Sequence, residues 1–97
     1  MPDSDKSLPS EIKMEVGKLI SRLSTAGWVV SDCRYDPKAF GNWYVDLSRD
    51  RLTIRLTKDR SQYFVDRLPA EELKDAGLWR AFDNVEEFQN AIIQWAR

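Results

Sequence analysis

The pattern of apolar and polar positions divides the chain into helical and strand-like segments. From Leu8-Pro9 onward, apolar residues recur every three or four positions, which predicts an amphipathic helix. These apolar residues are Ile12, Val16, Leu19, Ile20 and Leu23. Proline suits the first helical position, because the N–H that it lacks has no partner there. Gly27 is placed to end the helix as its C′ residue, with Trp28 packing back on the last turn.

Four strand-like segments follow the first helix. The first, over 28–35, is rich in β-branched and aromatic residues, and the connection 36–42 contains Pro37 and Gly41. Apolar and polar residues alternate over 42–48 and 51–57, and a fourth strand is predicted over 62–67. The short connections at 49–50 and 58–61 favour consecutive antiparallel hairpins.

Two helical segments complete the pattern. "AEELKDAG", after Leu68-Pro69, predicts a short helical turn that ends at Gly77. Asp83 is predicted to cap a final helix, with Glu86 completing an acidic capping box. The inward stripe of this helix consists of Val85, Phe88, Ile92 and Trp95. We therefore predict an α+β fold in which N- and C-terminal helices pack on one face of a four-stranded antiparallel meander sheet.

Tight hairpins assign a face to every side chain of the central strands. The predicted apolar pairs are Leu47–Leu52, Val45–Ile54, Trp43–Leu56, Leu56–Tyr63 and Ile54–Val65. All of them fall on one face, and a one-residue slip would turn a strand inside out. The predicted opposite face has two rows, which are Tyr44, Arg55 and Phe64, followed by Asp46, Thr53 and Asp66.

The row of Tyr44, Arg55 and Phe64 is the first candidate site. An arginine between two aromatic rings forms cation–π contacts, and these residue types are enriched in the cores of interfaces. One interpretation is a set of ordinary cross-strand pairs that stabilise a sheet surface. The other is a face that binds a partner. The predicted partner-binding residues are Tyr44, Arg55, Phe64, Asp46, Asp66 and Arg60.

The composition agrees with one small globular domain. The chain has 97 residues, of which 42% are hydrophobic, and it contains four tryptophans that we expect mainly in the core, with Trp79 the most exposed. Residues 1–7 are predicted to be a disordered leader and residues 8–97 a single α+β domain. The polar N-terminus is unlike a signal peptide, and no apolar run approaches the roughly 20 residues of a membrane span. A single cysteine, Cys33, fits a reducing compartment. We expect a soluble cytoplasmic protein.

The residue types present argue against most catalytic chemistry. The chain has no histidine, which removes the usual general base and the commonest metal ligand. Cys33 has no second cysteine to share a zinc ion, and we expect a small buried thiol. Asp46 and Asp66 form a possible acid–base pair, about 9–10 Å apart on alternate strands, but an open sheet face offers no cleft. We expect a protein that is not an enzyme and that needs no cofactor or metal.

Charge is distributed unevenly along the chain, although the net charge is only −1. Residues 49–67 contain six basic and three acidic residues, and residues 68–97 contain three basic and six acidic residues. The basic segment and the α-β-β-β-α order suggest nucleic-acid binding as an alternative, similar to double-stranded RNA-binding domains. However, the last helix begins with Asp83, Asn84, Glu86 and Glu87, and the three carboxylates of this segment repel phosphate. A protein partner is therefore the leading hypothesis, and nucleic-acid binding through residues 49–67 is the less favoured alternative. No membrane partner is expected, and a homodimer is the other arrangement considered.

Two segments resemble a pattern found in small uncharacterised bacterial proteins. They are "YDPKAFGNWYVDL" at 35–47 and "RLTIRLTKDRSQYFVD" at 51–66, with Phe-Gly-Asn at 40–42 and Arg-Leu-x-x-Asp-Arg-x-Gln at 55–62. Ser61 stands where those proteins often carry a glycine. Their size and α+β layout are similar to those of immunity proteins that neutralise bacterial toxins. That group of proteins has no established activity, so the resemblance implies no role for a residue; it points to Arg55 and Asp59-Arg60 as shared positions.

Overall fold

The computed structural model describes residues 8–96, and the predicted leader at 1–7 lies outside this range. In chain order the elements are α1 (Ser10–Thr25), β1 (Val29–Asp36), β2 (Asn42–Arg49), β3 (Leu52–Asp59), β4 (Gln62–Asp66), α2 (Ala70–Asp75) and α3 (Val85–Trp95). The strands form one antiparallel sheet in the order β1-β2-β3-β4. The predicted α+β meander with N- and C-terminal helices is confirmed.

The core lies between the inner face of the sheet and the three helices. Alternate strand residues enter it, because side chains of a strand point to opposite faces in turn. The buried hydrophobic residues of the strands are Val30, Trp43, Val45, Leu47, Ile54, Leu56, Tyr63 and Val65. The helices contribute Ile12, Val16, Leu19, Ile20 and Leu23 from α1, Leu73 from α2, and Phe88 and Ile92 from α3. As predicted, Trp79 is the exposed tryptophan, at 56%, while Cys33 is only partly buried.

Both hairpins turn one residue later than predicted, and this shifts the pairing. The two-residue turns are 50–51 and 60–61, so Leu47 pairs with Ile54, and Leu56 pairs with Val45 and Val65. The predicted pairs are therefore wrong by two positions. An offset of two keeps every side chain on its predicted face, since the side-chain period of a strand is two residues.

The shift also corrects the predicted rows of the opposite face. Tyr44 and Phe64 flank Thr57, and Arg55 lies between Asp46 and Asp66 instead of between the two aromatic residues. Tyr44, Arg55 and Phe64 therefore do not form one row. Arg55 belongs to the row that contains Asp46 and Asp66.

The helix ends follow local hydrogen bonding. α1 ends in a Schellman motif, in which Trp28 N–H donates to Leu23 O at 2.9 Å and Gly27 has a φ of 98°, as the sequence predicts. The predicted cap of α3 is wrong by one residue. Asn84 caps the helix by accepting from two backbone N–H groups, while Asp83 accepts from the side chain of Gln62 at 2.9 Å. Within residues 8–96, no helix has the length and apolar character to cross a membrane.

Candidate functional site

The sheet face opposite the helices, called here the outer face, is the candidate site. Its side chains form three rows across the four strands, and within residues 8–96 none of the helices packs over them. The rows are Asp36–Asn42–Asp59–Gln62, Arg34–Tyr44–Thr57–Phe64 and Asp32–Asp46–Arg55–Asp66. Five of the six predicted site residues lie on this face, with Asp46, Arg55 and Asp66 in one row and Tyr44 and Phe64 in the adjacent row.

Arg55 is held tightly by its neighbours in the sheet. Its Nε donates to Asp46 Oδ1 at 2.7 Å and its Nη2 donates to Asp46 Oδ2 at 3.0 Å, which makes a bidentate pair. The hydrogen bond to Asp46 raises the pKa of Arg55. The guanidinium lies 4.0 Å from the centroid of the Tyr44 ring. Arg55 therefore has a structural role in addition to any contact with a partner.

Tyr44 extends this network to the first strand. Its hydroxyl donates to Asp32 Oδ2 at 3.0 Å, and this hydrogen bond raises the pKa of Tyr44. Four side chains on three strands are thus fixed relative to one another. The result is a surface whose central side chains are ordered before any partner arrives, which lowers the entropic cost of binding.

Asp66 is the member of its row that remains available to a partner. It pairs across the ladder with Arg55, yet among the described residues its carboxylate forms no ion pair and accepts no hydrogen bond. Its side chain is exposed. Since the Asp46 carboxylate already binds Arg55 with both oxygens, Asp46 and Asp66 do not form the free carboxylate pair that acid–base catalysis needs.

Two shallow grooves meet at Asp66. The larger groove, of about 350 Å³, lies over the centre of the outer face, and Tyr44 and Arg55 line it. The smaller groove, of about 270 Å³, runs between β4 and the segment after α2, where Phe64 and the exposed Trp79 line it. Asp66 lines both grooves. The sequence identified Trp79 as exposed but gave no sign that it lies beside Phe64.

A second polar cluster lies on the inner side of the sheet, where sequence reasoning predicted none. Glu15 of α1 accepts hydrogen bonds from Trp43 Nε1 at 3.2 Å, from Lys58 Nζ at 2.7 Å and from the Tyr63 hydroxyl. Burial alone would raise the pKa of Glu15, but these hydrogen bonds outweigh it and hold the pKa below its ordinary value. Burial and the bond to Glu15 raise the pKa of Tyr63. One carboxylate thus accepts from all three donors and links α1 to the sheet. This cluster is called here the Glu15 clamp.

Arg60 lies apart from the other predicted site residues. It occupies the β3–β4 turn, where its side chain is 80% exposed. Asn42 connects this turn to the β1–β2 connection, because its Oδ1 accepts from Arg60 N–H at 2.9 Å and its Nδ2 donates to Asp59 Oδ1 at 3.1 Å. Segments 35–47 and 51–66 therefore meet at one corner of the molecule.

The basic residues of segment 49–67 do not gather into one patch. Arg55 and Lys58 are paired with carboxylates, and Arg49 stacks on Trp28 at 4.8 Å. Arg51 and Arg60 lie in turns at opposite ends of β3, about 30 Å apart at the usual rise of an extended strand. A nucleic-acid surface needs several cations along one track, and this arrangement does not supply one.

Within residues 8–96, no group of three or more histidine, cysteine or acidic side chains is placed to hold a metal ion. Comparison of the chain with known protein families, with curated proteins and with solved structures found no match.

Proposed function

We propose that this chain is a non-enzymatic protein-binding domain, and that the outer face of its sheet binds a partner protein with a basic surface. The observation that carries the proposal is the acidic outer face, which no helix covers within residues 8–96. Its three rows contain five aspartates and two arginines, a net charge of −3 for that face. A surface of one sign attracts a partner of the opposite sign and excludes partners of its own sign.

The aromatic side chains around the grooves supply the apolar part of the proposed interface. Tyr44, Phe64 and Trp79 line the two grooves, and aromatic residues are the commonest centres of binding energy in interfaces. Asp66 lies between the grooves and offers an unpaired charge to the partner. An interface built in this way has an apolar centre with a fixed charge beside it.

An immunity-like role is the specific form of this proposal. A toxin that acts on nucleic acid carries a basic surface, and an acidic, preordered sheet face is suited to cover it. The support for this form is the charge of the outer face, together with the analogy in size and α+β layout that the sequence suggests. The proposed partner is therefore a cationic toxin that the same cell must neutralise.

The test is capture of a partner by matched bait proteins. Lysate of the source organism, treated with nuclease, is passed over the wild-type chain and over the Asp66→Lys, Phe64→Ala and Met14→Ala variants. Met14 lies on α1 and is 85% exposed, so it is the control for a surface change away from the outer face. We expect one protein to be retained by the wild type and by Met14→Ala, and to be lost from the two outer-face variants.

The captured protein is then purified, and its affinity for each variant is measured by calorimetry. Equal affinity for all four baits would contradict the proposal, because the outer face would then contribute nothing to binding. Retention of nucleic acid without protein, in lysate not treated with nuclease, would also contradict it. Thermal midpoints of the variants show that each of them is folded.

A further inference from the structure

Two strained turns lie side by side at the corner that Asn42 connects. The first turn is closed by Asn42 N–H donating to Ala39 O at 2.9 Å, and its central residues Phe40 and Gly41 have φ of 59° and 69°. The second has Arg60 and Ser61 at its centre, with φ of 52° and 68°. Positive φ at both central residues is the pattern of a type I′ turn, which strongly favours asparagine, aspartate and glycine.

Phenylalanine and arginine occupy the first central position of these turns, where neither is favoured. A non-glycine residue in the left-handed region carries a steric penalty, and the penalty here must be offset elsewhere. The hydrogen bonds of Asn42 to Arg60 and Asp59 hold the second turn in place. The corner is therefore a rigid feature, in which the two turns support each other.

Packing within the protein does not account for the side chains at this corner. Phe40 is 79% exposed and the Arg60 side chain is 80% exposed, with the guanidinium 5.9 Å from the centroid of the phenylalanine ring. The Arg60 side chain also approaches Asp59, at the long distance of 4.0 Å. An exposed aromatic ring on a strained, fixed backbone gains little from folding. Its geometry is that of an anchor residue at an interface.

We propose that Phe40 and Arg60 form an anchor that enters the partner beside the outer face. The Phe40 ring fills an apolar pocket of the partner, and the Arg60 guanidinium pairs with a carboxylate at the rim of that pocket. The anchor adjoins the larger groove, since Ala39, Asn42 and Asp59 line it. This inference rests on the proposed function, because it assigns the same partner a second, separate contact.

Photo-crosslinking tests the anchor directly. Benzoylphenylalanine is incorporated at position 40, at position 64 on the outer face, or at position 14 on α1, and each protein is irradiated in lysate of the source organism. We expect positions 40 and 64 to yield an adduct with the same protein, identified by mass spectrometry, and position 14 to yield none. An adduct at position 64 without one at position 40 would overturn the anchor while leaving the proposed function in place. Absence of an adduct at both positions would overturn both.

A pair of glycine variants then distinguishes the effect of backbone strain on stability from the contribution of the Phe40 side chain to binding. Affinity is measured for the partner that cross-linking identifies. Phe40→Gly and Ser61→Gly both replace a residue at positive φ, so we expect both to raise the melting temperature. Phe40→Gly also removes the anchor and lowers the affinity for the partner at least about tenfold, as expected for a hot-spot aromatic residue. Ser61→Gly keeps the anchor and leaves the affinity unchanged. Equal affinity of Phe40→Gly and the wild type would overturn the inference.

Discussion

At the scale of single residues, the row Asp32–Asp46–Arg55–Asp66 distinguishes residues that build the outer face from residues that are free to bind. Asp46 is the buried charged residue of this face, with 8% of its surface exposed, and Arg55 neutralises it through two hydrogen bonds. Burial of an unpaired charge is costly, whereas a paired charge is tolerated. Arg55 therefore contributes to stability first, and Asp66 is the residue of this row that a partner can use.

Arg55→Ala should lower the free energy of unfolding by about 2 kcal/mol, because it leaves the Asp46 carboxylate without its partner. Arg34→Ala is the matched control, since Arg34 lies in the next row and forms no ion pair among the described residues. We expect the control to change stability by less than about 0.5 kcal/mol. Chemical denaturation of both variants, and of Asp46→Ala alone and combined with Arg55→Ala, measures these effects. Additive losses in the double variant would show that the two side chains do not stabilise each other.

At the scale of elements, the facing of β2, β3 and β4 could be predicted from the sequence, but the facing of β1 and the exact pairing of the strands could not. The alternation of apolar and polar residues fixes which side chains are buried. This assignment of faces stayed correct although both hairpin turns lie one residue later than predicted. The β3–β4 turn is held by Asn42, whose side chain accepts from Arg60 N–H. No local sequence pattern predicts that contact. The final helix shows the same limit, since Asp83 is an equally good cap in the sequence but binds Gln62 in the structure.

The polar contact of Glu15 in α1 with the sheet could not be predicted from the sequence either. Glu15 lies on the polar side of a helix with a clear apolar stripe, so periodicity assigns it to solvent. In the structure α1 departs from helical geometry at Val16, with φ −129° and ψ 15°, and Glu15 binds side chains of β2, β3 and β4. A single carboxylate thereby attaches the first helix to three strands.

The Glu15 clamp predicts a dependence of stability on pH. Because the pKa of Glu15 is lowered in the folded state, its contribution is complete above the unfolded pKa, near 4.5, and is lost as the pH falls through the folded pKa. Glu15→Gln should cost about 1–2 kcal/mol at pH 7 and should flatten the pH dependence below about 4.5. Urea denaturation between pH 3 and 7 checks this, with Glu11→Gln, an exposed residue of the same helix, as the control. If Glu15→Gln and the wild type have parallel pH profiles, the carboxylate does not hold the helix through its charge.

At the scale of the whole molecule, the sign of a surface follows strand alternation and not the order of charges along the chain. Segment 49–67 is basic in sequence, but its arginines and lysine divide between the outer face, the turns and the inner face. The three rows of the outer face carry a net charge of −3 while the entire chain carries −1, so the other residues of the chain together carry +2. Residue counts over a segment therefore suggested a basic hairpin, whereas the folded sheet presents an acidic face.

This polarity should be visible in the kinetics of partner association. Charges on a fixed face accelerate the encounter with an oppositely charged partner. Salt at 0.1 M largely screens that attraction at separations beyond about 10 Å. For the partner obtained by capture, we expect the association rate constant to fall roughly tenfold between about 50 and 500 mM salt, with little change in the dissociation rate constant.

Asp66→Asn should lower the association rate at low salt and weaken its salt dependence. Glu11→Gln removes the same charge from α1, on the other side of the sheet, and should leave the rate nearly unchanged. Stopped-flow measurement of the three proteins decides the matter, since an equal effect of both substitutions would mean that net charge, and not the acidic sheet face, attracts the partner.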